Sequence, residues 1–202
     1  MLARNDYRNY DPLLVHAADP DDPATLTFAS AIALARSSSR LPGRGGLGLS
    51  LADFSALLDR YFPGARASYL TPAFRASLMA DAGRSGFDEF EDVLSLLMEH
   101  RSNDDPETLW LAHAITACCM GEDHLWQDMG LPNRQALSDL LARHFSGLFA
   151  RNTGGMRWKK FFYKQLCERN AAFVCRSPSC ADCSEYANCF GPEDDTSWQP
   201  AK

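Results

Sequence analysis

Four cysteines near the C-terminus constrain this chain more than any other feature. They stand in Cys175-Arg-Ser-Pro-Ser-Cys180-Ala-Asp-Cys183-Ser-Glu-Tyr-Ala-Asn-Cys189, a C-x4-C-x2-C-x5-C spacing within fifteen residues. Pro178 sets a turn between the first pair, and Arg176 to Asp182 offers nothing that could pack a core. Such a segment has little hydrophobic reason to order. Four thiolates closing on a metal or an iron–sulfur cluster would supply one. The rest of the chain then reads as a scaffold for that site.

Compartment decides how the thiols are read. The start, Met1-Leu-Ala-Arg-Asn-Asp-Tyr7, has no apolar signal-peptide core, and no run reaches the roughly 20 apolar residues of a membrane helix, so a cytoplasmic protein is expected. In a reducing cytosol clustered cysteines point to metal binding or catalysis rather than to disulfides, and the total of seven cannot pair fully within one chain.

Thiolate suits zinc and iron–sulfur centres alike. The C-x2-C pair Cys180 and Cys183 aims two sulfurs at one point. The flanking spacers of four and five residues can wrap something larger than one ion. Zinc ribbons more often present two separated short pairs. The first three cysteines match plant-type ferredoxin spacing, but the fourth arrives too early and no strands accompany it. An iron–sulfur cluster is the favoured occupant, with zinc or a plain redox or structural role as alternatives.

Apolar periodicity predicts an all-α protein: a single helical domain over residues 24–170, a loosely held arm over 1–23, and the cysteine-rich loop and tail over 171–202. Helices are expected over Ala24–Ser37, from Leu51 behind a Ser50/Asp53 capping pair to Tyr61, and from Pro72 to Asp81. Further ones are expected around Phe90 to Met98, over Glu107–Met120, over Arg134–Ala150 behind Asn133, and over Met156–Asn170, with a short segment, Glu122–Met129, ending at Gly130. Sustained alternation of period two is absent, so strands are not expected.

Outside the loop, Cys118 follows Leu111 and Ile115 at helical steps and reads as core, with Cys119 on another face and Cys167 either core or a spare ligand. His16, His100 and His144 look like surface or helix-end residues. His113 and His124 bracket Cys118 and Cys119, and a helix followed by a turn could bring His113, Cys119 and His124 toward one metal. A hydrogen-bonded core histidine is the plainer alternative.

Net charge is −6, which argues against general nucleic-acid binding. Yet Arg151, Arg157, Lys159, Lys160, Lys164, Arg169 and Arg176 face only Glu168 between residues 151 and 176, a local balance of +6 that leaves −12 elsewhere. The block is either a solvated helix face or a surface for docking and oxyanions. No catalytic constellation stands out. Gly43, Gly45 and Gly46 lack the Lys-Ser/Thr of a phosphate-cradling loop.

Three stretches together resemble the NifQ family, the molybdenum-handling proteins of nitrogen fixation. They are the cysteine loop followed by Phe190-Gly-Pro-Glu193, the preceding Met156-Arg-Trp-Lys-Lys-Phe-Phe-Tyr-Lys-Gln-Leu-Cys-Glu168, and His124-Leu-Trp-Gln-Asp-Met-Gly-Leu131 behind the His113 and Cys119 helix. They cover most of residues 105 to 193, whereas the N-terminal hundred residues carry little of the likeness. The resemblance implies a carrier rather than a catalyst. Such a carrier holds an iron–sulfur cluster on Cys175, Cys180, Cys183 and Cys189 and takes up molybdenum from molybdate or a storage protein. It then passes the metal to the NifEN/NifH assembly machinery of the iron–molybdenum cofactor, with His113, Cys119 or His124 as further metal ligands.

Two rivals stand beside it. Helical DNA glycosylases of the endonuclease III type end in a similar loop, C-x6-C-x2-C-x5-C, and Leu41-Pro-Gly-Arg-Gly45 is like their glycine turn. Here, however, that turn lies far upstream, no catalytic lysine follows it, and the charge is acidic. The other rival is an interaction module whose loop folds around one zinc ion.

Overall fold

In the computed structural model of the chain, residues 12–39, 41, 44–81, 89–169, 186–191 and 193 are described. Cys175, Cys180, Cys183 and Arg176 lie outside them. Among the described residues every regular element is helical, as the periodicity predicts.

The helices begin where their capping residues dictate. α1 (Pro23–Ser37) starts behind Asp22, whose carboxylate accepts from the Thr25 N–H at 2.9 Å, with proline at the first helical position. α2 (Leu51–Tyr61) starts behind Ser50, which accepts from the Asp53 N–H at 3.0 Å. A short α3 (Arg66–Tyr69), too brief to show a period in sequence, leads to α4 (Pro72–Asp81). α5 (Glu89–Glu99) precedes α6 (Pro106–Cys119), and α7 (Leu125–Asp128) is a single turn.

α6 is the centre of the molecule. It packs against α1, α2, α5 and α7. Ten of its fourteen residues are buried, which requires a helix apolar on nearly every face. Trp110 meets Tyr61 edge-on at 6.4 Å, and Tyr61 in turn packs on Phe28 at 4.7 Å, joining α6, α2 and α1.

One expected helix is divided. Residues 134–150 form α8 (Arg134–His144) and α9 (Ser146–Arg151), with the break at the fully buried Phe145 (φ −139°, ψ 50°). Ser102 causes it: its N–H donates to the His144 carbonyl at 2.8 Å, and its hydroxyl accepts from the Ser146 N–H at 2.9 Å. Tertiary bonds replace those the continuous helix would have made. His144 stands at a helix end, one of the two placements expected, and is buried there, its Nδ1 2.8 Å from Thr108 Oγ1.

The described part of the N-terminal arm is tied down. Leu13 is fully buried beside a 3-10 turn (Leu14–His16), and the Ala18 N–H donates to the Tyr61 carbonyl at 2.9 Å. α10 (Trp158–Arg169) lies along α5, bonded through Tyr163 to Glu89 and through Arg169 to Glu99 at 3.0 Å. A five-residue α11 (Tyr186–Phe190) follows it among the described elements.

Candidate functional site

α6 stops at a tight turn in which the Met120 N–H reaches Ala117 O and the Gly121 N–H reaches Cys118 O, both at 3.1 Å. The chain then turns through Glu122 and Asp123 to His124, the residue that precedes α7. There the Gln127 carboxamide accepts from the His124 N–H at 3.2 Å. Lys159, at the start of α10, donates to Gly121 O at 2.9 Å and to Asp128 Oδ2 at 2.5 Å. A cation at the carbonyl end of α6 is favourable for the helix dipole as well as for the carboxylate. Burial raises the Asp128 carboxyl above the usual range, against the opposing pull of Lys159.

These contacts leave an open cleft of about 260 Å³, lined by Glu122, His124, Arg157, Lys160 and Asn188 among others. Lys160 is exposed, while Arg157 is half-buried. Burial lowers the His124 pKa, and the cations Arg157, Lys159 and Arg134 add to that effect. His124 is thus held as a neutral imidazole at pH 7, the form that binds metals.

On one wall of the cleft sits α11 with Cys189. The Arg157 backbone N–H donates to Cys189 O at 2.8 Å, and its guanidinium donates to Asn188 O at 3.2 Å and Gly191 O at 3.4 Å. Cys189 is half-buried and packs against the edge of the core. Just beyond, Glu193 is only 5% exposed and pairs with Arg134 at 2.9 Å.

The other cysteines are in different surroundings. Cys118 is fully buried, as its helical position predicts, and its thiol donates to Asp128 O at 3.3 Å. Cys119 is 4% exposed. Burial pushes the Cys118 thiol far up and the Cys119 thiol to about 12, so both are neutral where a metal ligand must be thiolate. Cys167 is half-buried on α10.

His113 and His124 have separate partners. His113 Nδ1 lies 2.9 Å from Leu47 O, next to Phe90, and burial lowers its pKa. Because the carbonyl can only accept, Nδ1 carries the proton and Nε2 keeps its lone pair. Leu47 itself takes a left-handed backbone (φ 62°). Among the described residues no group of three or more His, Cys, Asp or Glu side chains is arranged to hold a metal ion.

The basic block is largely engaged. Lys159 pairs with Asp128, Arg169 with Glu99 and Lys164 with Glu168, while Arg157 is spent on backbone carbonyls. Arg151, Lys160, Lys164 and Arg169 nonetheless remain exposed, as a solvated face would have them. Arg157, Arg134 with Glu193, and Asp128 are the site residues that sequence reasoning did not single out. An acid directly behind Phe190-Gly-Pro, with an arginine just before Trp158, was the available signal.

Comparison with known proteins identifies the family. A family model described as NifQ matches residues 27–191. The protein NifQ of Azotobacter vinelandii is 45% identical over 152 residues, covering 73% of this chain and 78% of that one. That of Rhodobacter capsulatus is 41% identical over 147 residues, covering 73% and 77%. A NifQ homolog of Sinorhizobium fredii is 36% identical over 154 residues, covering 76% and 64%. No solved structure matches the chain.

Proposed function

The chain belongs to the NifQ family, which takes part in biosynthesis of the nitrogenase iron–molybdenum cofactor, and on that premise we propose that it is a molybdenum carrier. In this proposal Cys175, Cys180, Cys183 and Cys189 hold an iron–sulfur cluster. Molybdenum, taken from molybdate or a storage protein, is the cargo, and NifEN and NifH receive it. The protein works in the cytoplasm and hands metal over rather than transforming a substrate.

The observation that carries the proposal is the contrast among the cysteines. Cys118 and Cys119 are buried neutral thiols. Cys189, the last of the C-x4-C-x2-C-x5-C set, is half-buried on a helix beside a polar cleft. A soft, all-thiol donor set suits an iron–sulfur cluster. Bound there, such a cluster supplies sulfur ligands to which a second metal can attach. Among the described residues no helix is long and apolar enough to cross a membrane.

Of the three further ligands, His124 is favoured because it lines that cleft as a neutral imidazole. His113 offers Nε2 from a different pocket, and Cys119 offers only a protonated thiol.

The test is iron, acid-labile sulfide, molybdenum and zinc per chain, in protein purified without oxygen from nitrogen-fixing cells supplied with molybdate. Iron and sulfide with molybdenum are expected. His124→Ala should lower molybdenum and spare iron, and the same measurement on His113→Ala tests the second histidine. Iron and sulfide without molybdenum under any supply would overturn the carrier function. Zinc without sulfide would leave only a structural module.

A further inference from the structure

We propose, resting on the assignment of the four cysteines as cluster ligands, that Arg157 is a positioning residue that presents Cys189 to the cluster. One of the four sulfurs is thereby held by the folded body before any metal arrives.

The physical case begins with α11. Five residues are too few to hold a helix in water by local bonds, and its last carbonyls have no partners within it. Arg157 supplies them. It donates to Asn188 O, Cys189 O and Gly191 O from its side chain and backbone together. The Gly191 N–H also closes this end, donating to Ala187 O at 2.8 Å. A permanently charged, planar fork spans two carbonyls at a helix C-terminus in a way that a lysine ammonium cannot.

Arg157 is in turn held from behind. Arg134 donates to Gly155 O at 2.6 Å and Met156 O at 2.9 Å while pairing with buried Glu193. Asn152 brackets Met156, donating to its carbonyl at 2.8 Å and accepting from its N–H at 2.9 Å. The turn that delivers Arg157 is thus fixed, and the chain beyond Cys189 is anchored to it. Phe190 completes the seat, stacked on Tyr186 at 4.6 Å and lying 3.3 Å from where a Cβ on Gly154 would be. A donor pre-placed on a rigid support is what binding of the remaining three sulfurs gains from.

The experiment uses the full chain, handled anaerobically, as wild type, Arg157→Ala, Arg157→Lys and the surface control Lys164→Ala, a residue outside the cleft. Hydrogen exchange of the metal-free proteins reads the Gly191 amide. Iron and sulfide retained after reconstitution with ferrous iron and sulfide read the cluster. In metal-free wild type the Gly191 amide should be protected, and Arg157→Ala should speed its exchange by about tenfold or more, as loss of these bonds predicts. The same variant should retain several-fold less iron and sulfide. Arg157→Lys should recover little of either, and Lys164→Ala should match wild type. Should Arg157→Ala fail to fold, Arg157→Lys carries the test.

If the Gly191 amide exchanges freely in metal-free wild type, or if both Arg157 variants keep the wild-type cluster, the positioning role is overturned while the carrier function stands. A wild type that takes up no cluster overturns both.

Discussion

Lys159 and Asp128, thirty-one residues apart, meet with Nζ 2.5 Å from Oδ2, and both side chains are largely shielded from water. The pair joins the start of α10 to α7, and Lys159 also caps the turn that ends α6. Lys159 lines the cleft as well.

Lys159→Met should therefore be costly at neutral pH. Removing one partner of a buried pair leaves an uncompensated charge, worth about 3 kcal/mol or more. The loss should shrink as pH falls, because burial already raises the Asp128 carboxyl and the orphaned acid would protonate more readily still. Urea unfolding at pH 7.5 and pH 5.5 checks this, and a deficit that does not narrow at the lower pH counts against it.

Gly121 has a steric reason to be glycine. A Cβ there would sit 2.5 Å from Asp128 Cγ. Gly121→Ala should displace the carboxylate from Lys159 and cost about 1–3 kcal/mol. Lys159→Met added to it should cost less than it does alone, since both break one interaction. Additive losses in a double-mutant cycle would separate the two effects.

Cys118 and Cys119 should be inert in the folded protein. With the Cys119 thiol pushed up to about 12, roughly one molecule in ten thousand carries its thiolate at pH 8. Alkylation with iodoacetamide followed by peptide mapping should label neither in native protein and both in denaturant. Native labelling at Cys119 would show that α6 opens at its C-terminal end.

Stability should fall as the solution is acidified below about pH 6.5. The His144 pKa is lowered, mainly by burial, although nearby Glu107 opposes the shift. The unfolded chain therefore binds a proton that the native state resists, and stability rises with pH between the native and unfolded pKa values. His144→Gln should flatten the pH dependence of the melting temperature between pH 7 and 5. An unchanged slope would assign the effect to other groups.

Helix positions and starts were legible in the sequence because their causes are local. Ser50 and Asn133 cap helices they directly precede, and the caps are seen at α2 and α8. Cys118 could be placed in the core because its apolar neighbours recur at helical steps. The NifQ membership was also readable, since it rests on contiguous motifs that the comparisons extend over residues 27–191.

Other features depend on residues that are distant in sequence, and there only the fold decided. Ser102 breaks the 134–150 helix from 44 residues away, and Asp128 meets Lys159 from across a helix pair. Arg157 was one cation in a basic run until folding brought Asn188 and Gly191 within its reach. His113 and His124 could have shared a metal on spacing alone, yet Leu47 holds the first while the second lines the cleft. A helix period reports which face of a segment is apolar. It carries no information about which distant carbonyl or carboxylate that face will meet, because that is set by how the helices pack around α6.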